Sequence, residues 1–237
     1  PSETYEYNTQ GWLTKQTSGC YSAELRYYNP QFSTTPSLTG NITEWSWKIS
    51  PTGSMKTYSF SYGAQSRMTG AEYYLNGVLN NSDTEKKINY DFNGNITSMT
   101  RYQSGTPETL SYTYANGWLN KINGLSFAHD NCGNMITDGR NGLDIVYNYI
   151  NLPSQIKSVS SGEVINYTYL ADGRKFSALD ANKTGLIYIG SLVYNMTRGT
   201  SVKLESAAFS GGRFQANTAT AGTSCKPQYY VTDHLGS

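Results

Sequence analysis

The stretch INYDFNGNITSMTRY, residues 88–102, constrains the fold most, because versions of it recur along most of the chain. Apolar and polar residues alternate, turn on Asn93-Gly94, and alternate again. Successive strand side chains point to opposite faces, so Ile88 and Tyr90 share one face and Asn89 takes the other. The turn between them needs positive φ, which Gly adopts freely and Asn or Asp best among the rest. The phrase is a β-hairpin, and a chain that repeats it is committed to a sheet.

The copies align on their turns. Tyr5-x-Tyr7 leads to Gly11-Trp12-Leu13, and Phe60-x-Tyr62 to Ser66-Arg67-Met68, with Ser in the glycine place. Ile88-x-Tyr90-Asp91 leads to Gly94-Asn95-Ile96, and Tyr112-x-Tyr114 to Gly117-Trp118-Leu119. Phe127-x-His129-Asp130 leads to Gly133-Asn134-Met135, so His129 holds an aromatic slot. Tyr147-x-Tyr149 is followed by Pro153 in the glycine place, and Tyr167-x-Tyr169 by Asp172-Gly173-Arg174. A damaged copy runs from Leu25-x-Tyr27 to Gly40-Asn41-Ile42 around an insertion. Turn positions then fall at 11, 40, 66, 94, 117, 133, 153 and 173, spaced 16 to 29 residues apart. Such drift fits hairpins of varied length, added one after another and burying surface against their neighbours.

Composition agrees, with 21 Tyr, 23 Gly and only 15% charged residues. Tyrosines at every second position form cross-strand ladders worth about 0.2–1 kcal/mol per pair, and their hydroxyls suit a wet boundary. The 237 residues fit one large all-β domain or two small ones. A net charge of +1, with its cations dispersed, argues against nucleic-acid or anionic-membrane binding. No apolar run approaches the roughly 18 residues of a spanning helix. The start at Pro1, without Met, reads as a piece of a longer protein.

Candidate chemistry is sparse. Cys20, Cys132 and Cys225 are far apart, with no CxxC spacing, and read as semi-buried thiols rather than a zinc site or disulfide scaffold. No metal or cofactor is expected. Asp130 and Cys132 beside His129 are explained by their places in the repeat. Asp233 and His234 are adjacent, so on a strand they face opposite ways and form no dyad. Six Asn-x-Ser/Thr matches are incidental in a chain rich in Asn and Thr. Trp12 and Trp118 share a post-turn place and read as packing. Trp45 and Trp47 share a strand face after the insertion and are candidates for stacking on sugar. Residues 201–209, SVKLESAAF, fit a single helix.

Tyr90-Asp91-x-x-Gly94-Asn95-Ile96 and Tyr167-x-Tyr169-x-x-Asp172-Gly173-Arg174 resemble the tyrosine–aspartate (YD) repeats of the RHS, or rearrangement hot spot, family. The closing QYYVTDHLGS, with Tyr230, Asp233, His234 and Gly236, resembles the start of the RHS-associated core. Asp follows the aromatic only at Asp91 and Asp130, so aromatics and turns, more than aspartates, hold the pattern. The resemblance implies a YD-repeat sheet over 1–180, a less regular continuation over 181–227, and a truncated core start at 228–237. The expected fold is all-β: successive antiparallel hairpins in one extended, twisted, curling sheet, an open partial shell. The structural-repeat residues are Tyr7, Gly11, Tyr62, Tyr90, Asp91, Gly94, Tyr114, Gly117, Asp130, Gly133, Tyr149, Pro153, Tyr169 and Gly173.

In bacterial toxins of this family the shell encloses a C-terminal effector, released from the wall by self-cleavage beyond the core start. Animal relatives are cell-surface adhesion proteins. The chain is therefore expected to be a non-catalytic segment of a secreted or cell-surface shell. Its partners would be further repeats, the core and any effector of its own parent chain. The alternative is a surface scaffold binding carbohydrate or protein. Unpaired sheet edges are expected to favour edge-to-edge dimers.

Overall fold

The computed structural model describes residues 3–32, 35–216 and 225–230. One compact unit ends at Tyr112 and a second begins at Thr113. The first contains β1 (Thr4–Tyr7), β2 (Leu13–Thr17), β3 (Tyr21–Arg26), β4 (Glu44–Ile49), β5 (Lys56–Tyr62), β6 (Met68–Leu75), β7 (Val78–Leu79), β8 (Glu85–Tyr90) and β9 (Ile96–Gln103). Strand β10 (Thr106–Ala115) carries the chain onward. The second contains β11 (Trp118–Ile122), β12 (Leu125–His129), β13 (Met135–Asp138), β14 (Leu143–Tyr147), β15 (Pro153–Ser158) and β16 (Val164–Tyr169). It continues with β17 (Lys175–Asp180), β18 (Gly185–Ile189), β19 (Leu192–Thr197), β20 (Ser201–Phe209), β21 (Gly212–Ala216) and β22 (Cys225–Tyr229). The described residues contain no helix, so the fold is all-β.

Every pairing within a unit is antiparallel, and apart from β6 with β8 the paired strands are neighbours in sequence. In the first unit β1 to β6 pair in succession, β7 and β8 share one edge of β6, and β8, β9 and β10 follow. In the second, β11 to β22 pair in succession. Short turns make this possible. Asn76-Gly77, Ser104-Gly105 and Asn123-Gly124 each link directly opposed residues and have φ near +50° and +82°, the type I′ pattern matching strand twist.

In the first unit, register puts Leu25, Trp45, Tyr58 and Tyr73 in one cross-strand row. Trp45 stacks on Trp47 at 4.4 Å, and Trp47 lies 5.7 Å from Tyr58. Ala23, Leu25, Ala71 and Tyr73 are buried on this face. The opposite face buries polar side chains, because the insertion after β3 touches it. Phe32 of that insertion stacks on Tyr74 at 4.3 Å, and its N–H donates to the Glu44 carboxylate. Glu44 is 1% exposed and lies 3.8 Å from the Arg26 guanidinium. In the second unit the buried apolar residues are Ile122, Phe127 and Ile187.

Three expectations are corrected. SVKLESAAF is strand β20, not a helix; β19 and β21 pair with it on both sides. Tertiary pairing overrides the helix propensity of Lys, Leu, Glu and Ala there. The three cysteines are exposed rather than semi-buried, since Cys20 and Cys132 sit in turns and Cys225 opens β22. Pro153 is no turn residue: it opens β15 opposite Tyr147, and the positive φ belongs to Asn151 at +59°. Proline fits the first residue of a strand, where it owes the ladder no N–H.

Glu44 should anchor the insertion. Glu44→Ala is expected to lower unfolding free energy by about 1.5–3 kcal/mol, the scale of a hydrogen bond to a charged group. Glu44→Gln, which keeps an acceptor for Phe32, should lose less; equal losses in urea unfolding would contradict this anchoring role.

Candidate functional site: the clamp between successive hairpins

The repeated phrase folds into one turn geometry. In it residue X donates its N–H to the carbonyl of X+4, and the N–H of X+3 returns to the carbonyl of X. Asn8, Gly63, Asp91, Asp130, Asn148, Leu170 and Asp180 are the X residues. The X+3 residues all have positive φ: Gly11 +77°, Ser66 +54°, Gly94 +92°, Gly133 +84°, Asn151 +59°, Gly173 +84° and Lys183 +56°. This is the three-residue hairpin loop closed by a residue in the left-handed region. Six of these turns begin after an aromatic residue paired with the residue six places on: Tyr7 with Leu13, Tyr62 with Met68, Tyr90 with Ile96, His129 with Met135, Tyr147 with Pro153, and Tyr169 with Lys175.

Side chains at X cap the turn. Asp91 Oδ1 accepts the Asn95 N–H at 2.8 Å, and Asp130 Oδ1 accepts the Cys132 and Asn134 N–H groups at 2.9 Å. Asn8 and Asn148 do the same through their amide oxygens, at 2.8–3.0 Å. Hydrogen bonds, first from the Asn95 and Asn134 side chains and then from turn N–H groups, hold the Asp91 and Asp130 carboxyls below the ordinary value. Where X is Leu170, Asp172 inside the turn accepts the Arg174 N–H instead, at 3.0 Å.

The aromatic before X does a second job. Backbone pairing between one hairpin and the next stops short of the turns: β2–β3 covers Lys15–Thr17, β13–β14 Thr137–Asp138, and β15–β16 Gln155–Lys157 on the leading strand. The residue opening that strand, or in β4's case Ile42 two residues ahead of it, therefore has a carbonyl beyond the ladder, and a tyrosine of the following hairpin fills it. Tyr27 donates to Leu13 O at 2.9 Å, Tyr62 to Ile42 O at 2.7 Å, Tyr90 to Met68 O at 2.5 Å, Tyr147 to Met135 O at 3.0 Å, and Tyr169 to Pro153 O at 2.7 Å. Burial pushes the phenols of Tyr27, Tyr62 and Tyr169 above their ordinary value, so they stay protonated donors.

A third contact repeats. The residue after one turn covers the left-handed residue of the next. A Cβ on Gly40 would lie 3.0 Å from the Trp12 ring, on Gly94 3.1 Å from the Arg67 guanidinium, and on Gly133 2.5 Å from the Trp118 ring. Arg67 also donates to Asp91 O at 3.1 Å and lies 5.6 Å over the Tyr90 ring. Trp118 stacks on His129 at 5.5 Å, which gives that aromatic slot its contact without a hydroxyl.

The sequence-picked residues separate on this geometry. Tyr62, Tyr90 and Tyr169 are clamp donors; Gly94, Gly133 and Gly173 are closing residues; Asp91 and Asp130 are caps. Tyr7 heads the first turn and is 61% exposed. Tyr114 is half-buried on β10, and Gly117 with Asn116 forms a two-residue turn with φ of +83° and +53°. Tyr149 is 94% exposed at a turn tip, matching Phe92; the clamp donor of that copy is Tyr147. Tyr230 is exposed, with its N–H on Gly211 O at 2.9 Å. Asp233, His234 and Gly236 lie outside the described residues. Trp45 and Trp47 are half-buried in the aromatic row. Tyr27 and Tyr147 were aligned as aromatics of the repeat but not as clamp donors, Asn8 and Asn148 were not read as caps, and the Asp180 turn was missed. The constant six-residue step from aromatic to strand opener is the signal for Tyr147, placing Pro153 beside Met68 and Ile96. Among the described residues, no group of three or more His, Cys, Asp or Glu could hold a metal, and no helix is long and apolar enough to cross a membrane.

A sheet whose hairpins are clamped in sequence by tyrosines and closed by turn glycines defines a YD-repeat β-protein. Residues 31–195 match the Teneurin YD-shell family model, more than half of the 237 residues, and the chain belongs to that family. The crystal structure of TcdB2-TccC3 is similar in fold, with a TM-score of 0.58 at 14% identity over 99% of this chain. This chain spans 15% of the length of that one. The structure of TcdB2-TccC3 without its hypervariable C-terminal region aligns with 99% of this chain and 17% of that one, at 13% identity and a TM-score of 0.32. No curated protein matches the sequence.

Two pairs of substitutions test the clamp. Tyr169→Phe should lower stability by about 1 kcal/mol, the net value of one hydrogen bond, whereas Tyr149→Phe should change it by less than about 0.5 kcal/mol. Gly133→Ala and Gly124→Ala share nearly the same φ, +84° and +83°, but nothing lies within 4 Å of a Cβ on Gly124. Gly124→Ala should lose about 1–2 kcal/mol from backbone strain, and Gly133→Ala about 1–3 kcal/mol more from displacing Trp118. Equal losses in chemical denaturation would remove the packing part of the argument.

Proposed function

We propose that the chain is a non-catalytic wall segment of a YD-shell that encloses or presents a C-terminal effector belonging to its own parent chain. The observation that carries this reading is the clamp. Tyrosine hydroxyls of successive hairpins hold the carbonyls of their predecessors, so cohesion runs from neighbour to neighbour along the sheet. A wall needs that property, because its integrity cannot depend on filling the space it bounds. Membership of the Teneurin YD-shell family supports the structural role. The resemblance of residues 228–237 to the start of an RHS-associated core supports an effector further along the parent chain, and a secreted or cell-surface setting.

The test is the intact mass of the parent chain, expressed with its natural C-terminal extension. Two fragments, cut shortly beyond this segment and co-purifying, are the expected outcome. A single uncut mass, with no protected C-terminal fragment after limited proteolysis, would sink the enclosure reading and favour a surface scaffold.

A further inference from the structure

One hollow in the first unit lies away from the clamps, toward the far ends of the strands they hold, beside the β2–β3 and β4–β5 turns. Its volume is 390 Å³, within the roughly 300–1,000 Å³ of small-molecule sites. Register builds it from two rows across β2, β3 and β4. Lys15, Glu24 and Ser46 form one row, and Thr17, Ser22 and Lys48 the next. On each strand the two residues are two apart, so all six share a face, and all six line the hollow. Lys15 and Lys48 therefore stand at opposite corners, on strands two spacings or about 10 Å apart, with β3 between them.

The charges on this face suit an anion. Glu24 turns its carboxylate to Arg26, with Oε1 2.9 Å from Nη2, and Arg26 lies 3.8 Å from Glu44 in turn. The carboxylate lining the hollow is thereby engaged, while both ammoniums have hydrogens to offer. Lys48 gives one N–H to Pro51 O at 3.0 Å, and an ammonium carries three. Lys15 lies 3.4 Å from Glu6, in a pair whose side chains are both at least half exposed, a contact that holds a side chain only weakly. The directly opposed Thr17 and Ser22 hydroxyls engage no other group among the described residues, so both rotate to donate. Pro51 and Met55, from the β4–β5 turn, add an exposed apolar rim.

We propose that this hollow binds a phosphate or sulfate monoester, with its oxyanion between the Lys15 and Lys48 ammoniums and its apolar carrier against Pro51 and Met55. Such an ester presents three acceptor oxygens around a tetrahedral centre. Two ammoniums and two rotatable hydroxyls, reaching in from three strands, meet that group from several sides, because lysine acts as a point charge. A carboxylate is planar and is matched by a guanidinium fork. The guanidinium on this face, Arg26, is held by Glu24 and Glu44. A cation would meet two ammoniums, a like-charge juxtaposition that selects against it. The site does not rest on what the parent chain encloses.

Phenyl phosphate and phenyl sulfate are titrated calorimetrically into the 237-residue chain, at about 50 mM salt to limit screening. Benzoate, phenyltrimethylammonium and the inorganic anions serve as comparison ligands. At least one ester should saturate with Kd below about 1 mM, and the tighter of the two identifies phosphate or sulfate as the group recognised. The inorganic anion should bind more weakly than its phenyl ester. The double variant Lys15→Gln, Lys48→Gln should keep the thermal midpoint, since neither lysine is buried, and weaken ester binding at least about tenfold. Ser22→Ala, which leaves both charges in place, should weaken it less. The proposal is overturned by no ester binding up to about 10 mM, by undiminished binding to the double variant, or by benzoate or phenyltrimethylammonium binding as tightly as the esters. An inorganic anion as tight as its ester would overturn the carrier half.

Discussion

The sheet depends on one hydrogen bond, from a tyrosine hydroxyl to a carbonyl that the backbone ladder leaves behind. Each bulged turn shifts register at its base, and pairing with the next hairpin ends before the turns are reached. A carbonyl stranded there would carry the penalty of an unpaired backbone group wherever water is excluded. Tyrosine is suited to the position. Its ring packs on the sheet face, and its hydroxyl reaches past the last ladder bond. Phenylalanine would pack as well and leave the carbonyl unmet. This accounts for tyrosine, rather than aromatics in general, at most of the repeat positions.

The turn glycines answer two demands, and the exceptions separate them. Ser66, Asn151 and Lys183 adopt the same left-handed conformation, so φ alone does not require glycine. At three positions glycine stands where the previous hairpin places a large group over the turn, Trp12 on Gly40, Arg67 on Gly94 and Trp118 on Gly133, whereas Gly11 has nothing within 4 Å and Gly173 only Leu152 at 3.8 Å. At Asn151 the preceding post-turn residue is Asn134, whose amide donates to the Asn151 side chain at 3.0 Å. A short polar neighbour leaves room for a side chain and bonds to it. The identity of one turn residue is therefore set partly by a residue in the hairpin before it.

Much of this was legible in the sequence. Alternation and the recurring aromatic-to-turn phrase placed the hairpins around residues 11, 66, 94, 133 and 173, and Asn93-Gly94 and Asp172-Gly173 marked two of them outright, because positive φ is concentrated in few residue types. The error at Pro153 came from aligning glycine with the nearest unusual residue; the left-handed residue there is Asn151, which carries no such mark. The Asp180 turn was hidden for the same reason, since Lys183 closes it. SVKLESAAF was misread because its residues favour helix one by one, and only its neighbours make it a strand. The clamps were not legible at all. A hydroxyl meeting a carbonyl 12 to 22 residues away depends on where the previous ladder stops, which no local pattern records.

The long insertion after β3 shows why clamping at the turns lets hairpins vary. It leaves the sheet at the same end as the β1–β2 and β5–β6 turns, between two strands that must stay in register. Tyr27 clamps the strand before it to Leu13, and Tyr62 clamps onto Ile42 where the chain returns. Phe32, within the insertion, is held separately, by Tyr74 and the buried Glu44. Both feet of the insertion are thus fixed by contacts that ignore its length. The same logic covers the caps. Asn can replace Asp because only an acceptor oxygen is needed, and Asp172 can act from inside a turn whose X residue is Leu170. A repeat secured by several independent contacts can lose one of them, or gain a loop, and keep its place in the sheet. That is why the copies drift so far in sequence and spacing while six of the turns keep an aromatic-to-opener step of six.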